Sequence, residues 1–199
     1  MGTLKNFVNP LHQQTKRNYI ERMVNEKVEC SKIAKKYDRE YWDGERKYGY
    51  GGYKFIPGRW KSVAQDLINT YNLKVGSKVL DVGCGDGTLM EHLKNHQKND
   101  VRGLEPQKNY VQECISKGLS VIEGDAEKEL VQFPKKSFDY VVLSQTLQAF
   151  FNPEEVLDQL LRIGKQTIVS IPNFGYWKVR LHLLFKGTMP ITKNLPNEW

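Results

Sequence analysis

The sequence has few cysteines and no long apolar stretch, and each shortage excludes a class of protein. Its three cysteines, Cys30, Cys84 and Cys114, are an odd number without the spacing of a zinc site, so neither a disulfide framework nor a metal site is predicted. No apolar run approaches the roughly 20 residues of a membrane span. The first residues also lack the apolar core of a secretory signal. These shortages predict a cytoplasmic protein with reduced thiols.

Histidine is also scarce, with four residues in 199. His92 and His96 are four residues apart on a predicted helix, but nothing nearby completes a set of metal ligands. They are interpreted as surface residues. The length of the chain suits one domain with a full core, or one domain with an appendage.

Acidic residues are fewer than basic ones, and the net charge is +7. Residues 1–75 carry 15 Lys and Arg against 8 Asp and Glu, whereas residues 76–199 carry 15 against 15. The basic excess therefore belongs to the N-terminal part. It indicates a solvated helix face more strongly than a nucleic-acid or anionic surface, which stays the alternative.

The most informative segment of the sequence is 78–90, Lys-Val-Leu-Asp-Val-Gly-Cys-Gly-Asp-Gly-Thr-Leu-Met. A short apolar run ends in glycines at alternate positions, Gly83, Gly85 and Gly87, and a helical pattern follows at once. This form predicts a strand, a tight turn and a helix N-terminus. Glycines let the backbone approach a ligand closely, and the free N–H groups of a helix start attract anionic groups.

The spacing of the glycines argues against a dinucleotide site. That fingerprint is G-x-G-x-x-G, whereas the third glycine here comes one residue early. Asp81 precedes the glycines, and Glu105 ends the next predicted strand. An ionised Glu105 only accepts hydrogen bonds, so it suits a pair of hydroxyl groups. The alternative is a glycine turn and a capping acid in a protein that binds nothing.

This pattern of D-x-G-x-G followed by an acidic strand end resembles the first two motifs of class I S-adenosylmethionine-dependent methyltransferases. The resemblance implies S-adenosyl-L-methionine as cofactor, with the glycine turn along its methionine half and Glu105 on its ribose hydroxyls. It also implies Asp125 on the adenine amino group, although Asp125 could simply cap a helix. The implied cofactor-binding residues are Asp81, Gly83, Cys84, Gly85, Gly87, Glu105, Pro106, Gln107, Asp125, Ala126 and Ser144.

Strands and helices alternate regularly after the glycine turn. This alternation predicts right-handed βαβ units on a doubly wound, mostly parallel sheet, the Rossmann-like fold of class I methyltransferases. Ligands of such sheets lie at the carboxyl ends of the strands, where Ser144 and Pro172 also fall. A strand is predicted directly before Gly83, further strands are predicted at 101–105, 120–123, 138–144 and 166–171, and helices at 61–71, 110–117, 154–161 and 176–185.

The N-terminal part is predicted to be an extension with its own helix. Apolar residues recur at helical spacing from residue 16 to residue 37, and a Tyr- and Gly-rich segment at 41–60 follows. That segment is interpreted as a flap in which Tyr48, Tyr50, Tyr53 and Arg59 contact a substrate. A packed structural loop and a nucleic-acid surface of basic and aromatic residues stay open as alternatives.

Residues 77–199 resemble the methionine biosynthesis protein W (MetW) family. The resemblance is carried by Leu-Asp-Val-Gly-Cys-Gly-Asp-Gly at 80–87, Ser-Gln-Thr-Leu-Gln at 144–148 and Pro-Asn-Phe-Gly at 172–175. It implies a methyltransferase-like protein that, in some bacteria, assists the homoserine acyltransferase of methionine synthesis. Two departures are the N-terminal extension at 1–75 and the apparent lack of the last two strands from the domain at 76–199.

Two functions follow from these resemblances. One is a methyltransferase that acts on a small molecule, for which no catalytic base is identified. The other is a non-catalytic partner of a homoserine O-acyltransferase that binds S-adenosylmethionine.

Overall fold

The computed structural model describes residues 27–36, 39–42, 44, 48, 59–171 and 175–187. The chain divides into two compact units. One comprises Met1–Gln13 and Gly58–Ile171, and the other comprises Gln14–Pro57 and Pro172–Trp199. The described part of the first unit contains a sheet and its helices, and that of the second contains three helices.

The sheet of the first unit has five parallel strands in the order β3-β2-β1-β4-β5. The strand order reverses direction beside β1, so the carboxyl ends of β1 and β4 form a topological switch point. The strands are β1 (Lys78–Val82), β2 (Asp100–Glu105), β3 (Ser120–Glu123), β4 (Phe138–Ser144) and β5 (Gly164–Ser170).

Helices connect the strands and cover both faces of the sheet, as right-handed crossovers require. Single-turn 3-10 helices at Leu130–Gln132 and Leu147–Ala149 lie in the connections around β4. The α-helices are α1 (Lys27–Ala34), α2 (Arg39–Trp42), α3 (Arg59–Tyr71), α4 (Thr88–Gln97), α5 (Lys108–Ser116), α6 (Ala126–Glu129), α7 (Pro153–Ile163) and α8 (Trp177–Lys186).

The hydrophobic core consists of one cluster on each face of the sheet. Because side chains alternate along a strand, Val79 packs on one face with α3 and α4, while Leu80 and Val82 pack on the other with α7. All three side chains are fully buried. The long apolar runs of β1 and β4 thus reflect a sheet that is covered twice.

The strand register brings the carboxyl ends of the strands to one edge. Val82 of β1 pairs with Leu104 of β2 and with Leu143 of β4. Glu105 of β2 pairs with Glu123 of β3. The predicted site residues after these strands therefore lie along the same edge of the sheet.

The predicted doubly wound fold is confirmed, with small shifts of the element ends. The Tyr- and Gly-rich segment was predicted to extend to residue 60. This C-terminal boundary is wrong, because Arg59 and Trp60 belong to the first turn of α3. The helix predicted to end at residue 37 ends at Ala34, where the Lys36 N–H turns back to the Ile33 carbonyl at 3.2 Å. The predicted helix at 16–26 lies outside the described residues, as do Tyr50, Tyr53 and Pro172.

The proposed boundary between an extension at 1–75 and a domain at 76–199 stays a prediction. In the structure, α3 contributes Val63, Leu67 and Ile68 to the same core cluster as β1 and α4.

Within the described residues, no helix has both the length and the apolar content to span a membrane.

Leu160 and Leu161 of α7 provide a direct test of this packing. Leu160 is fully buried among the residues under β4, whereas Leu161 is 59% exposed. Leu160→Ala is expected to lower the free energy of unfolding by about 2–5 kcal/mol, because it leaves a cavity. The neighbouring Leu161→Ala is expected to change it by less than about 0.5 kcal/mol. Urea denaturation of both variants checks the difference, and equal losses would contradict the packing described here.

Candidate cofactor site

The glycine turn after β1 has a left-handed backbone at each glycine. The φ angles of Gly83, Gly85 and Gly87 are 70°, 55° and 76°, values that side chains rarely adopt. The Gly83 N–H donates to the Leu104 carbonyl at 2.8 Å, so the turn is anchored to the end of β2. The helix α4 begins directly after Gly87.

The three glycines serve different purposes. A Cβ atom on Gly83 would lie 2.7 Å from Thr146 Oγ1, and one on Gly87 would lie 2.5 Å from Leu119 Cδ1 and 2.8 Å from Cys114 Sγ. Packing therefore excludes a side chain at both positions. Among the residues that the structure describes, no atom lies within 4 Å of a Cβ atom added to Gly85. Gly85 thus leaves open space at the centre of the turn, as a ligand would require.

The Glu105 carboxylate connects the end of β2 to this turn. Its Oε2 accepts from the Gly85 N–H at 2.9 Å, and its Oε1 accepts from the Gln107 N–H at 3.1 Å. Burial raises the pKa of Glu105, and these two backbone bonds partly oppose the increase. Each carboxylate oxygen has a second lone pair, so Glu105 can still accept two hydroxyl groups of a ligand.

A second acid, Asp86, lies within the turn and binds the first residue of α4. Its Oδ1 accepts from the Thr88 N–H at 3.0 Å, and its Oδ2 accepts from Thr88 Oγ1 at 2.7 Å. Lys117, at the end of α5, donates to the Asp86 carbonyl at 2.8 Å and also pairs with Glu113 at 3.1 Å. The turn is therefore held from both β2 and α5.

Two buried thiols support the turn from below. The Cys114 thiol donates to the Gly85 carbonyl at 3.3 Å. The side-chain hydrogen bond with Cys114, together with burial, raises the pKa of Cys84. The Cys84 thiol also leaves no room for a side chain at Gly103. The side chain of Cys84 therefore belongs to the core, and only its backbone is available for the predicted role in cofactor binding.

Asp81 of β1 is a buried acid at the base of the turn. Its side chain is 2% exposed, and no donor among residues 59–171 forms a hydrogen bond with the carboxyl group. Burial, together with the nearby charges of Glu105 and Asp86, raises the pKa of Asp81 to about 8. Without a ligand, this group is therefore mostly a neutral acid at pH 7.

Asp81→Asn is expected to remove a pH dependence of stability. Because folding raises the pKa of Asp81 from 3.8 to about 8, the native state keeps a proton that the unfolded chain loses in this interval. The contribution of Asp81 to stability is thus complete below pH 3.8 and is lost as the pH rises through about 8.

The free energy of unfolding of the wild type should fall across this window by at most about 1.4 kcal/mol per pH unit relative to the variant. Urea denaturation of both proteins at pH 5 and pH 8 checks this result. The other carboxylates affect the stability of the wild type and of the variant equally, so their pH dependence cancels in the difference. A difference in stability that stays constant between the two pH values would contradict the neutral state of Asp81.

The residues after β3 lie next to Glu105 through a backbone bond. The Gly124 N–H donates to the Glu105 carbonyl at 3.1 Å. Asp125 Oδ1 accepts from the Glu127 N–H at 3.0 Å, so Asp125 caps α6, and Ala126 is buried. The capping interpretation of Asp125 is therefore confirmed, while its role toward an adenine stays a prediction.

The residues after β4 complete the edge beside the glycine turn. Thr146 Oγ1 donates to the Ser144 carbonyl at 2.9 Å and lies against Gly83. Gln145 has a left-handed backbone, with φ of 56°, and its N–H donates to the Ser170 carbonyl of β5 at 3.3 Å. Side chains are rare at such angles, so the segment is held in a strained form beside the turn.

The remaining residues that were predicted to bind cofactor or substrate are described here by their positions in the chain and the fold. Pro106 is exposed directly after Glu105, and Gln107 contributes its N–H to the Glu105 carboxylate. Tyr48 lies in a turn of the second unit, and Arg59 is the first residue of α3.

Sequence reasoning missed Asp86, Lys117, Thr146 and Gln145. Asp86 gave one local signal, because an Asp two residues before Thr88 at the helix start suits a side-chain cap. Lys117 gave none, since it is 31 residues from Asp86 in the chain.

Comparison with known proteins shows two kinds of similarity in sequence. A family profile described as methionine biosynthesis protein MetW matches residues 64–199. The bifunctional methionine biosynthesis protein MetXA/MetW of Rhodopirellula baltica is 34% identical over 126 residues, which cover 59% of this chain and 20% of that protein. The demethylmenaquinone methyltransferase of Listeria welshimeri is 27% identical over 148 residues, covering 67% of this chain and 61% of that protein. The chain thus spans less than two thirds of either relative.

A solved structure shares the fold. It is that of a proposed S-adenosyl-L-methionine-dependent methyltransferase from Methanococcus maripaludis, with a TM-score of 0.50 and 16% identity. The match covers 64% of this chain and 63% of that one. At this identity the similarity shows the fold alone, and it agrees with the parallel sheet described above.

Proposed function

The chain belongs to the methionine biosynthesis protein MetW family, and from this membership we propose that it binds S-adenosyl-L-methionine and transfers its methyl group to a small molecule. The proposal places the cofactor at the carboxyl ends of β1 and β2, between the glycine turn and Glu105. A cytoplasmic location and a link to methionine synthesis are parts of the same proposal.

The bond between the Gly85 N–H and Glu105 Oε2, at 2.9 Å, is the observation that carries this proposal. It holds an acceptor with free lone pairs next to a glycine that has open space around its Cα atom. A ribose needs an acceptor for two hydroxyl groups and a backbone without bulk beside it. The residues present therefore fit an adenosyl group.

S-adenosyl-L-methionine supplies the chemistry when bound, because its sulfonium carries an already activated methyl group. The protein then has to bind and orient the two reactants and exclude water. In this proposal Glu105, the turn at Gly83–Gly87 and Ser144 at the end of β4 orient the cofactor.

A small-molecule acceptor is supported by what the end of β4 contains. Ser-Gln-Thr at 144–146 stands where methyltransferases of planar amino groups have an Asn-Pro-Pro-Tyr signature. The Listeria relative is, by its name, a demethylmenaquinone methyltransferase, which is a small-molecule enzyme. Tyr48, Tyr50, Tyr53 and Arg59 are proposed as acceptor contacts.

The second candidate is a non-catalytic partner of a homoserine O-acyltransferase. Two observations favour it. The Rhodopirellula relative is, by its name, a bifunctional MetXA/MetW protein. The last residue of β4 and the two that follow it, Ser144, Gln145 and Thr146, have hydroxyl and amide side chains, none of which is a general base at neutral pH.

One experiment separates the two candidates. The purified chain is incubated with methyl-labelled S-adenosyl-L-methionine and a small-molecule extract, and an equal sample with Gly85→Val is the control. Label on a small molecule, lost in the variant, supports the enzyme. No transfer, together with co-purification of a homoserine O-acyltransferase, supports the partner. No transfer and no such partner would contradict both.

A further inference from the structure

The net positive charge of the protein belongs entirely to one of its two units. Residues 14–57 and 172–199, which form the second unit, contain 15 Lys and Arg against 8 Asp and Glu. The first unit contains 15 residues of each kind. A net charge of +7 within one unit attracts anionic surfaces. The candidate cofactor site lies in the first unit, so it does not account for this excess.

Helix α8 of the second unit exposes a row of large apolar side chains. They are Trp177, Leu181, Leu184 and Phe185, which are 58%, 42%, 74% and 79% exposed. Their spacing along the sequence places them on one side of the helix. Val179 and His182 lie on the opposite side and are half-buried. The apolar row is therefore the side of α8 that is turned to solvent.

The polar residues of α8 carry charge of one sign. The helix contains three basic residues and no acidic one. Arg180 and Lys186 are exposed. Arg180 comes three residues after Trp177 and four before Leu184, so its charge lies directly beside the apolar row. A contiguous apolar surface of this kind marks a site that another body covers, and here that body has to accept positive charge as well.

These features together favour a lipid bilayer over the other possible occupants. Nucleic acid would attract the basic unit but has no apolar region to cover Leu184 and Phe185. A second copy of the chain would cover the apolar row but would bring together two units that each carry a charge of +7. An anionic bilayer meets both demands, because its headgroups attract the basic residues and its acyl region takes up the apolar ones.

We propose that α8 binds the surface of an anionic phospholipid bilayer. The helix lies in the plane of the membrane, with the apolar row among the upper acyl chains and Arg180 and Lys186 at the level of the headgroups. Trp177 suits this boundary, because its ring is apolar and its N–H is polar. The helix has 10 residues and a length of about 15 Å, so the binding is modest and reversible. This inference does not depend on the proposed function.

Sedimentation of the full chain with lipid vesicles tests the inference. One set of vesicles contains phosphatidylcholine alone, and the other contains about one third phosphatidylglycerol. The protein should bind the anionic vesicles at least about tenfold more tightly than the neutral ones. Salt at about 0.5 M should weaken this binding, because it screens the charges of the protein and the headgroups.

Phe185→Ser is expected to weaken binding to the anionic vesicles by at least about tenfold, because it removes the most exposed side chain of the row. Phe151→Ser is the matched control. Phe151 is 92% exposed in the first unit, and this variant should bind as the wild type does. Neither change leaves a cavity, and thermal melting checks that both variants fold.

Arg180→Gln is expected to weaken binding to the anionic vesicles by about fivefold and to leave binding to the neutral ones unchanged. Lys135→Gln removes an exposed charge from the first unit and should change neither. Should Phe185→Ser not fold, this pair of variants and the salt dependence of the wild type test the same claim.

The inference is overturned if the wild type stays in solution with the anionic vesicles, or if it binds both kinds of vesicle equally. Equal losses in Phe185→Ser and Phe151→Ser would also overturn it. In the absence of vesicle binding, a dimer that Phe185→Ser dissociates would assign the apolar row to a second copy. Binding of an RNA oligonucleotide in place of vesicles would assign the basic charge to nucleic acid. Each of these results leaves the proposed function intact.

Discussion

Gly85→Val is expected to weaken binding of S-adenosylhomocysteine by more than about 100-fold. The valine side chain would enter the part of the turn where no atom of the described residues lies within 4 Å of an added Cβ. It would thus occupy the space proposed for the ligand, and a loss of about 2.7 kcal/mol or more corresponds to this factor. The φ of 55° adds a folding cost of about 1–2 kcal/mol. Titration calorimetry and thermal melting measure the two effects separately.

Gly76→Val is the matched control for this variant. Gly76 precedes β1, at the opposite end of that strand from the turn, and has a φ of 79°. Both glycines have a left-handed φ, so the backbone strain is similar, and an added Cβ on Gly76 also meets no atom of the described residues within 4 Å. The control should lose similar stability and bind the nucleoside normally. Equal binding by Gly85→Val and the wild type, or an equal loss of binding in both variants, would contradict a ligand site at the turn.

Glu105→Gln is expected to reduce nucleoside binding by roughly 10- to 150-fold. A hydrogen bond to a charged group contributes about 1.5–3 kcal/mol, and the amide is neutral. The amide also has a donor where the carboxylate has an acceptor, so either the Gly85 N–H or the Gln107 N–H loses its partner. The glycine turn should therefore be less ordered as well.

Glu123→Gln is the control for this change, because Glu123 pairs with Glu105 in the sheet and is exposed. It should bind the nucleoside as the wild type does. A second expected result is a lower pKa of Asp81 in Glu105→Gln, since the Glu105 charge contributes to its increase. Wild-type affinity in Glu105→Gln would contradict the proposed ribose contact.

The sequence predicted the sheet and its strand ends well, because buried parallel strands leave a strong pattern. Strands β3 and β4 have the predicted bounds, and the family resemblance is confirmed. Gly83, Gly85 and Glu105 were found for the same reason, since a strand that ends in glycine or an acid is visible in local sequence. Their roles toward a ligand stay predictions.

The features that sequence could not show depend on contacts between distant residues. Gly83 was assigned to cofactor binding, yet the structure shows that Thr146, 63 positions later, already excludes a side chain there. The protonation of Asp81 depends on its burial and on two acids from other segments. Gln145 gives no sign of its left-handed backbone, because glutamine has no preference for that conformation.

The central claim is that the edge formed by the ends of β1 and β2 holds an adenosyl group. The most direct measurement is a crystal structure of this chain with S-adenosylhomocysteine. It should show both ribose hydroxyls within hydrogen-bond distance of the Glu105 carboxylate and the ligand against Gly85. A nucleoside bound elsewhere, or a complex in which Glu105 contacts only its own backbone partners, would contradict the account.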